Sequence, residues 1–480
     1  MASLSPGRDR VFGRRTTPLV AALLVATTAA SAIAVRTGTL ETLVLLVAAG
    51  LAMAVAVRWP ISLFYVYCAA IPFNFALPPG PAGTVARIAG LAFFIGYLAL
   101  KPDALRPGTM PIAGWAFVAW TLASCLWAGN TQTAFDAWLS LVQLFAISVL
   151  IASIVAADPG VVRPALRAYA IAAAATAAMG SIAYLQSRTI YLDRAVAFSG
   201  QDPAMFASII LPAVVFLMWE VQSRGTGLPI RLAALAALLV CVVGLALSGT
   251  RSGWIGIAAA VVAWLLLQRE RRQLLPLAVV GAGAALLAVS IPGMGDFLFG
   301  RLESSLATGG SGRTDIWAVG LYMLASAPLV GVGFGNFSLS YTPYVVDQAS
   351  RGFDPMYTLS AGRAPHNVLL GTFVETGVVG ALLLVGLCAS ALRQSSDAPF
   401  ANVIRATLIG LFVQALFLDI LGQKQLWLFL AIALGLGAAQ RAAAAAVGAP
   451  ARIAGAAAGS GVVVGVRSHR APGDVLPTPR

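Results

Sequence analysis

Apolar runs of about 16 to 22 residues recur along the whole chain, from "TPLVAALLVATTAASAIAV" at 17–35 to "LWLFLAIALGLGAAQ" at 426–440. As a helix, each is long enough to cross a hydrocarbon core of about 30 Å. The expected fold is therefore an all-α polytopic membrane protein. The runs begin near residues 17, 39, 59, 84, 110, 136, 165, 204, 230, 252, 274, 367, 404 and 425. Several are short or interrupted by Gly or Pro, which sets the expectation at about 12 to 14 transmembrane helices.

Composition agrees, with 59% hydrophobic and 10% charged residues among 480. The net charge of +13 is read as cytoplasmic loops meeting anionic lipid, and no nucleic acid partner is expected. Arg8, Arg10, Arg14 and Arg15 precede the first run, so the N-terminus belongs in the cytoplasm. No small-residue cleavage site follows, and the run reads as a retained helix. An even number of spans returns the tail with Arg441, Arg452, Arg467, Arg470 and Arg480 to the same side. About 21 of the 31 Lys and Arg then lie inside, the "QRERRQ" turn at 268–273 among them. Cys68, Cys125, Cys241 and Cys388 fall inside spans without metal-ligand spacing and are expected as buried thiols.

Residues 1–440 read as one membrane domain, followed by an Ala/Gly-rich cytoplasmic tail at 441–480, partly disordered. The conspicuous insertion is 293–366, a large extracytoplasmic loop. Within it "RTDIWAVGLYMLASAPLVG" (313–331) has an apolar part too short to span, and it reads as a helix at the outer interface. "GVGFGNF" (331–337) follows as a Gly-rich turn and, alone, a weak phosphate-loop signal. No fixed-period repeat and no pair of broken helices in matching halves is visible, which argues against a secondary transporter.

Positive charge is disfavoured outside the cytoplasm, so Arg87, Arg188, Arg194, Arg251, Arg301, Arg313, Arg351 and Arg363 are the informative cations. Each either snorkels or pairs with an outside carboxylate, or joins a cluster that grips phosphate oxygens in a bidentate way. Arg251 stands out, in a tight turn, "LSGTRSGW", with no acidic residue close in sequence. No two of the 18 acidic residues stand two apart, so no carboxylate pair is set to hold a divalent ion, and neither a metal nor another cofactor is expected. His366 lies where the polar loop re-enters an apolar run. It is either a general base near neutral pH or a group bonding a helix start beside Asn367. Glu375, nine residues on, falls roughly 180° around a regular helix from His366, so a structural hydrogen bond suits it better than partnership with the imidazole.

Together these motifs resemble the shared region of the O-antigen ligase and O-antigen polymerase family. The pattern G-R-x3-W falls on Gly312, Arg313 and Trp317, and P-x-x-G-x-G-x-G-N-F on Pro328, Gly331, Gly333, Gly335, Asn336 and Phe337. H-N-x-x-L and E-T-G-x-x-G fall on His366, Asn367, Leu370, Glu375, Gly377 and Gly380. The turn at Arg251 is similar to the S-x-[ST]-R turn opening the same region, about 245–385. "RAVAFSGQDPAMFA" (194–207) resembles the R-x-x-G-x-F-x-x-P-N segment but departs from it, with Ala204 in place of Asn.

The resemblance implies a GT-C-like, metal-independent, inverting glycosyltransferase. It moves a glycan from polyprenyl (undecaprenyl) pyrophosphate to a hydroxyl of a glycan, lipid or protein acceptor at the periplasmic face of the inner membrane. His366 matches the catalytic histidine and Arg251 the donor-binding arginine, with Arg313, Arg194 and Arg87 as further pyrophosphate candidates. Gly333, Gly335, Asn336, Asn367, Glu375 and Gly377 are motif positions of structural kind. Ligase and polymerase share donor and chemistry. A flippase or transporter of lipid-linked sugars and a non-catalytic envelope-assembly protein are the readings from other classes.

Overall fold

The computed structural model describes residues 54–76, 84–186, 194–223, 225–267, 313–350, 363–394 and 396–457. Within them the chain forms thirteen α-helices and no strand beyond an isolated bridge at Ala195. In chain order these are α1 (Ile61–Ala70), α2 (Val85–Leu100), α3 (Ile112–Ser124), α4 (Thr131–Ala157), α5 (Val162–Leu185), α6 (Pro203–Gln222) and α7 (Leu228–Leu247). There follow α8 (Arg251–Leu267), α9 (Arg313–Ser326), α10 (Phe337–Ser350), α11 (Val368–Leu392), α12 (Ala401–Ala415) and α13 (Lys424–Ala457).

A helix occupies every expected span position that is described. The runs near 17, 39 and 274, the "QRERRQ" turn, Arg188, Arg301, Arg351 and the end of the tail lie outside the described residues. Six of the helical stretches are long and apolar enough to cross a membrane, or seven if α2 and the turns after it, bent by 108°, form one broken span. α1, α3, α8 and α12 are apolar but shorter. The helix expected at 313–331 forms as α9 and ends at Ser326, before Pro328. The chain divides into two compact units, Met1–Ala439 and Gln440–Arg480.

Spacing between helices is set by small residues. A Cβ on Gly410 of α12 would stand 2.7 Å from the Gly256 carbonyl oxygen of α8, and one on Gly244 of α7 would stand 2.9 Å from the Ala177 Cβ of α5. Such absent side chains let backbones approach closely, which is how apolar helices gain packing where lipid offers no hydrophobic driving force.

α6 lies innermost, almost wholly buried. At its start Asp202 Oδ1 accepts from the Ala204 and Met205 amides, with Pro203 in the first helical position. Near its other end the buried Glu220 carboxylate accepts from Arg163 Nε and Nη2 at 3.1 Å each, and also from Arg167. Trp219 stacks beneath the Arg163 guanidinium at 5.0 Å. A buried carboxylate is tolerable only with such partners. The starts of α2, α4, α6, α8, α11 and α13 gather at the opposite end of the bundle, and the candidate site is there.

Candidate functional site

The sequence before α11 is held from several sides. Trp317 Nε1 on α9 donates to the Pro365 carbonyl at 3.1 Å, and Ser338 Oγ on α10 donates to the Arg363 carbonyl at 3.1 Å. Asn367 caps α11, its side-chain oxygen accepting from Leu370 N at 3.0 Å. With the cap supplied by Asn367, His366 sits outside the helix at φ +47°, the one non-glycine residue at positive φ among the described residues. Histidine tolerates this left-handed region better than most, yet the conformation persists only where neighbours enforce it. The helical-wheel comparison of His366 with Glu375 therefore loses its premise, because the helix does not reach His366.

Two guanidiniums and an imidazole converge on this point. Arg251 heads α8 directly after the Ser248–Thr250 turn, Arg313 heads α9, and His366 precedes α11. They are close enough for Arg251 to act on Arg313, and for Arg313 and Arg363 to act on His366, with Asp202 the opposing charge for both Arg313 and His366. Burial, then Arg313, holds the imidazole below its usual pKa against the opposite pull of Asp202. Burial and Arg313 thus both favour the neutral imidazole. Burial and Arg251 likewise lower Arg313. Among the described residues neither Arg251 nor Arg313 forms a salt bridge.

Arg194 begins a segment that runs beside this cluster. Ala195 N donates to the Leu247 carbonyl at 2.9 Å, next to the turn carrying Arg251, and the segment ends at Asp202. Arg194 Nε is buried without a hydrogen-bond partner among the described residues. Arg87 is placed differently. Its Nε donates to Gln143 Oε1 at 2.9 Å, and it lines a cavity of about 550 Å³ with Pro365, Val368, Glu375, Asp419 and Lys424. Arg251, Arg313 and His366 are not among the cavity's lining residues. Ala364, Pro365 and Val368, on either side of His366 in sequence, belong to the cavity wall.

The Gly-rich turn and α11 interlock through backbone. Gly377 has φ +68° and ψ −173°, which breaks the helix. The carbonyls released there are taken by the turn and α3: Val374 O accepts from Val332 N at 2.9 Å, Glu375 O from Gly333 N at 2.9 Å, and Thr376 O from Trp120 Nε1 at 2.8 Å. Val378 N donates in return to Pro328 O at 2.9 Å. A Cβ on Gly331 would stand 2.4 Å from the Glu375 carbonyl carbon. Gly331, Gly333 and Gly335 all take left-handed φ. The Gly331 and Gly333 amides bond the Ala327 and Glu375 carbonyls, and the Gly335 amide bonds the Glu375 carboxyl, so all three are taken up inside the protein and the turn packs instead of cradling a phosphate.

Glu375 completes this arrangement, its Oε1 accepting from Phe337 N at 3.1 Å at the start of α10. Asn336 and Asn130 are reciprocally bonded: Asn130 N donates to Asn336 Oδ1 at 2.8 Å, and Asn336 Nδ2 to the Asn130 carbonyl at 3.2 Å. The four cysteines are free thiols, three of them buried. Among the described residues no three of His, Cys, Asp and Glu gather in one place.

Asp202 was among the outside carboxylates expected to pair with an arginine, while Asp419 and Lys424 were not found from the sequence. Asp419 and Lys424 flank a span start where charge is ordinary.

Fold and site define a polytopic, all-helical membrane protein with an imidazole among guanidiniums at one end of the bundle. Residues 235–385 match the family model described as O-antigen ligase, beginning slightly before the region read from the motifs. Over 306 residues the chain is 26% identical to the O-antigen ligase of Pseudomonas aeruginosa, covering 62% of this chain and 68% of that protein. Over 139 residues it is 32% identical to the exopolysaccharide production protein ExoQ of Rhizobium meliloti, covering 28% of this chain and 30% of that protein. The likeness to the O-antigen ligase family rests on these matches as well as on the motifs.

Proposed function

We propose that the chain is a membrane glycosyltransferase that moves a glycan from polyprenyl pyrophosphate to an acceptor hydroxyl, with inversion and without a metal. It works in the cytoplasmic membrane with both termini inside and the Arg251 end of the bundle facing away from the cytoplasm. The observation that carries this reading is the convergence of Arg251, Arg313 and His366.

In the reaction, His366 removes the proton from the acceptor hydroxyl as its oxygen attacks the anomeric carbon. The bond from that carbon to the pyrophosphate oxygen breaks, and its electron pair leaves with the pyrophosphate. Arg251 and Arg313 stabilise that developing charge, and Arg194 stands beside them. The proton remains on the imidazole until the product departs.

A flippase or transporter reading receives less support. The break in α11 resembles the broken helices of such proteins, but the Val374, Glu375 and Thr376 carbonyls released there bind protein donors instead of facing a path. The second reading is a polymerase with a lipid-linked glycan as acceptor, and the likeness to a protein named for exopolysaccharide production accords with it. The test is transfer by the purified chain in lipid, with one polyprenyl-pyrophosphate glycan and a panel of acceptors, in EDTA. Product with an inverted linkage supports the proposal. No transfer, or transfer only after magnesium or manganese is restored, overturns it.

A further inference from the structure

The cavity of about 550 Å³ beside the His366 segment falls in the range of small-molecule sites, and the proposed chemistry leaves it without a task. Its wall has two cations, Arg87 at the start of α2 and Lys424 at the start of α13, near enough for their charges to interact. Arg87 meets the neutral Gln143. Lys424 has neither a hydrogen bond nor a salt bridge among the described residues.

The two carboxyls on the same wall do not neutralise these cations. Glu375 is turned to the Phe337 amide, and Asp419 Oδ1 accepts from Leu421 N at 3.4 Å. The described salt bridges all involve Glu220, at the other end of the bundle. Burial also raises the Asp419 carboxyl above its ordinary range, which favours its neutral form. Thr84, Ser140 and Gln143 add hydroxyl and amide groups suited to sugar hydroxyls. Two cations without carboxylate partners on one cavity wall, Lys424 half-buried and Arg87 exposed, suit an anion from outside.

The cavity shares its wall with the His366 segment through Pro365 and Val368, while Arg251 and Arg313 are not on that wall. The geometry points to this cavity as the acceptor subsite, with Lys424 and Arg87 binding an oxyanion, phosphate or carboxylate, carried by the acceptor glycan. The assignment rests on the transfer reading above. It moves Arg87 from donor pyrophosphate to acceptor, and it makes Lys424 a residue that determines acceptor specificity.

The experiment uses the full chain in nanodiscs, as wild type, Lys424→Gln and Lys424→Arg. Binding of a sugar phosphate, a uronic acid and the matching neutral sugar is measured by titration. Transfer from one donor is then measured with oligosaccharide acceptors carrying or lacking the charged group. Wild type should prefer charged over neutral ligands, and Lys424→Gln should cut that preference by about tenfold, the scale of one lost charged hydrogen bond, while Lys424→Arg retains it. A preference for phosphate alone or for the uronic acid alone identifies which oxyanion the site takes.

Equal affinity for charged and neutral ligands in wild type overturns the inference and leaves the transferase reading standing. So does a Lys424→Gln defect confined to donor binding. Charge-selective binding lost in Lys424→Gln, without transfer from any donor, upholds the anion subsite and removes the transferase reading.

Discussion

Trp317 holds the backbone of the residue before His366: its indole N–H meets the Pro365 carbonyl at 3.1 Å, and the imidazole's own backbone is left-handed. An aromatic on α9 thereby fixes the backbone beside an imidazole that belongs to another part of the chain. Trp317→Phe keeps the packing and removes the donor. The expected result is about fivefold slower transfer, from a hydrogen bond contributing about 1 kcal/mol, at unchanged membrane abundance. Unchanged turnover would show that the bond has no part in positioning.

His366→Ala should lower transfer by about 10²- to 10⁴-fold and leave donor binding nearly intact. The pH profile gives a sharper check. A base acts when deprotonated, so wild-type activity should rise with pH through an apparent value below that of ordinary imidazole, because burial and Arg313 depress it. Asp202→Asn removes the charge that raises the imidazole and should move the limb to lower pH. Arg313→Gln should move the limb of its residual activity upward. Shifts in the opposite directions would remove His366 as the titrating group.

Arg251→Lys keeps one positive charge but loses the planar fork, and most transfer should vanish. The measurement is turnover at matched abundance, with donor affinity alongside. A lysine variant of near-wild-type rate would mean that Arg251 acts as a point charge only.

Gly377→Ala should destabilise the protein by more than ~1 kcal/mol, since its left-handed φ disfavours a side chain and the added Cβ would lie 2.0 Å from the Leu329 carbonyl oxygen. Gly108, with nothing within 4 Å of such an atom, is the control. Thermal unfolding in detergent should separate the two variants clearly.

Glu220→Gln leaves Arg163 and Arg167 without their carboxylate. A loss of about 2 to 3 kcal/mol is expected, below the full value for a buried pair because the two guanidinium side chains are 26% and 35% exposed. Arg167→Gln, which spares the Arg163 pair, should cost less in the same unfolding measurement.

Helix positions were legible because an apolar run long enough to span is close to a direct readout of a membrane helix. Asn367 was legible as a neighbour of the site but not as the cap that frees His366, since a wheel drawn through both residues presumes one continuous helix. The break at Gly377 was hidden for a similar reason: the apolar character of "VETGVVGALLL" continues unchanged across it. What replaces the lost helical bonds comes from residues about 45 positions earlier, and hydropathy does not record such pairing. The different placing of Arg87 and Arg251 was likewise invisible, both being cations at span ends and distinguished only by how the helices pack.

The backbone exchange between residues 328–333 and 374–378 also limits how such proteins can be recombined. A chimera that swaps the segment around Arg313 and His366 for a relative's, in search of a different acceptor, cannot be cut at the start of α11. The donating and accepting segments of that exchange lie on both sides of the cut, so parental halves meet there with mismatched partners. Crossovers placed after Gly380 carry the whole interlock in one fragment, and those are the ones expected to give folded hybrids.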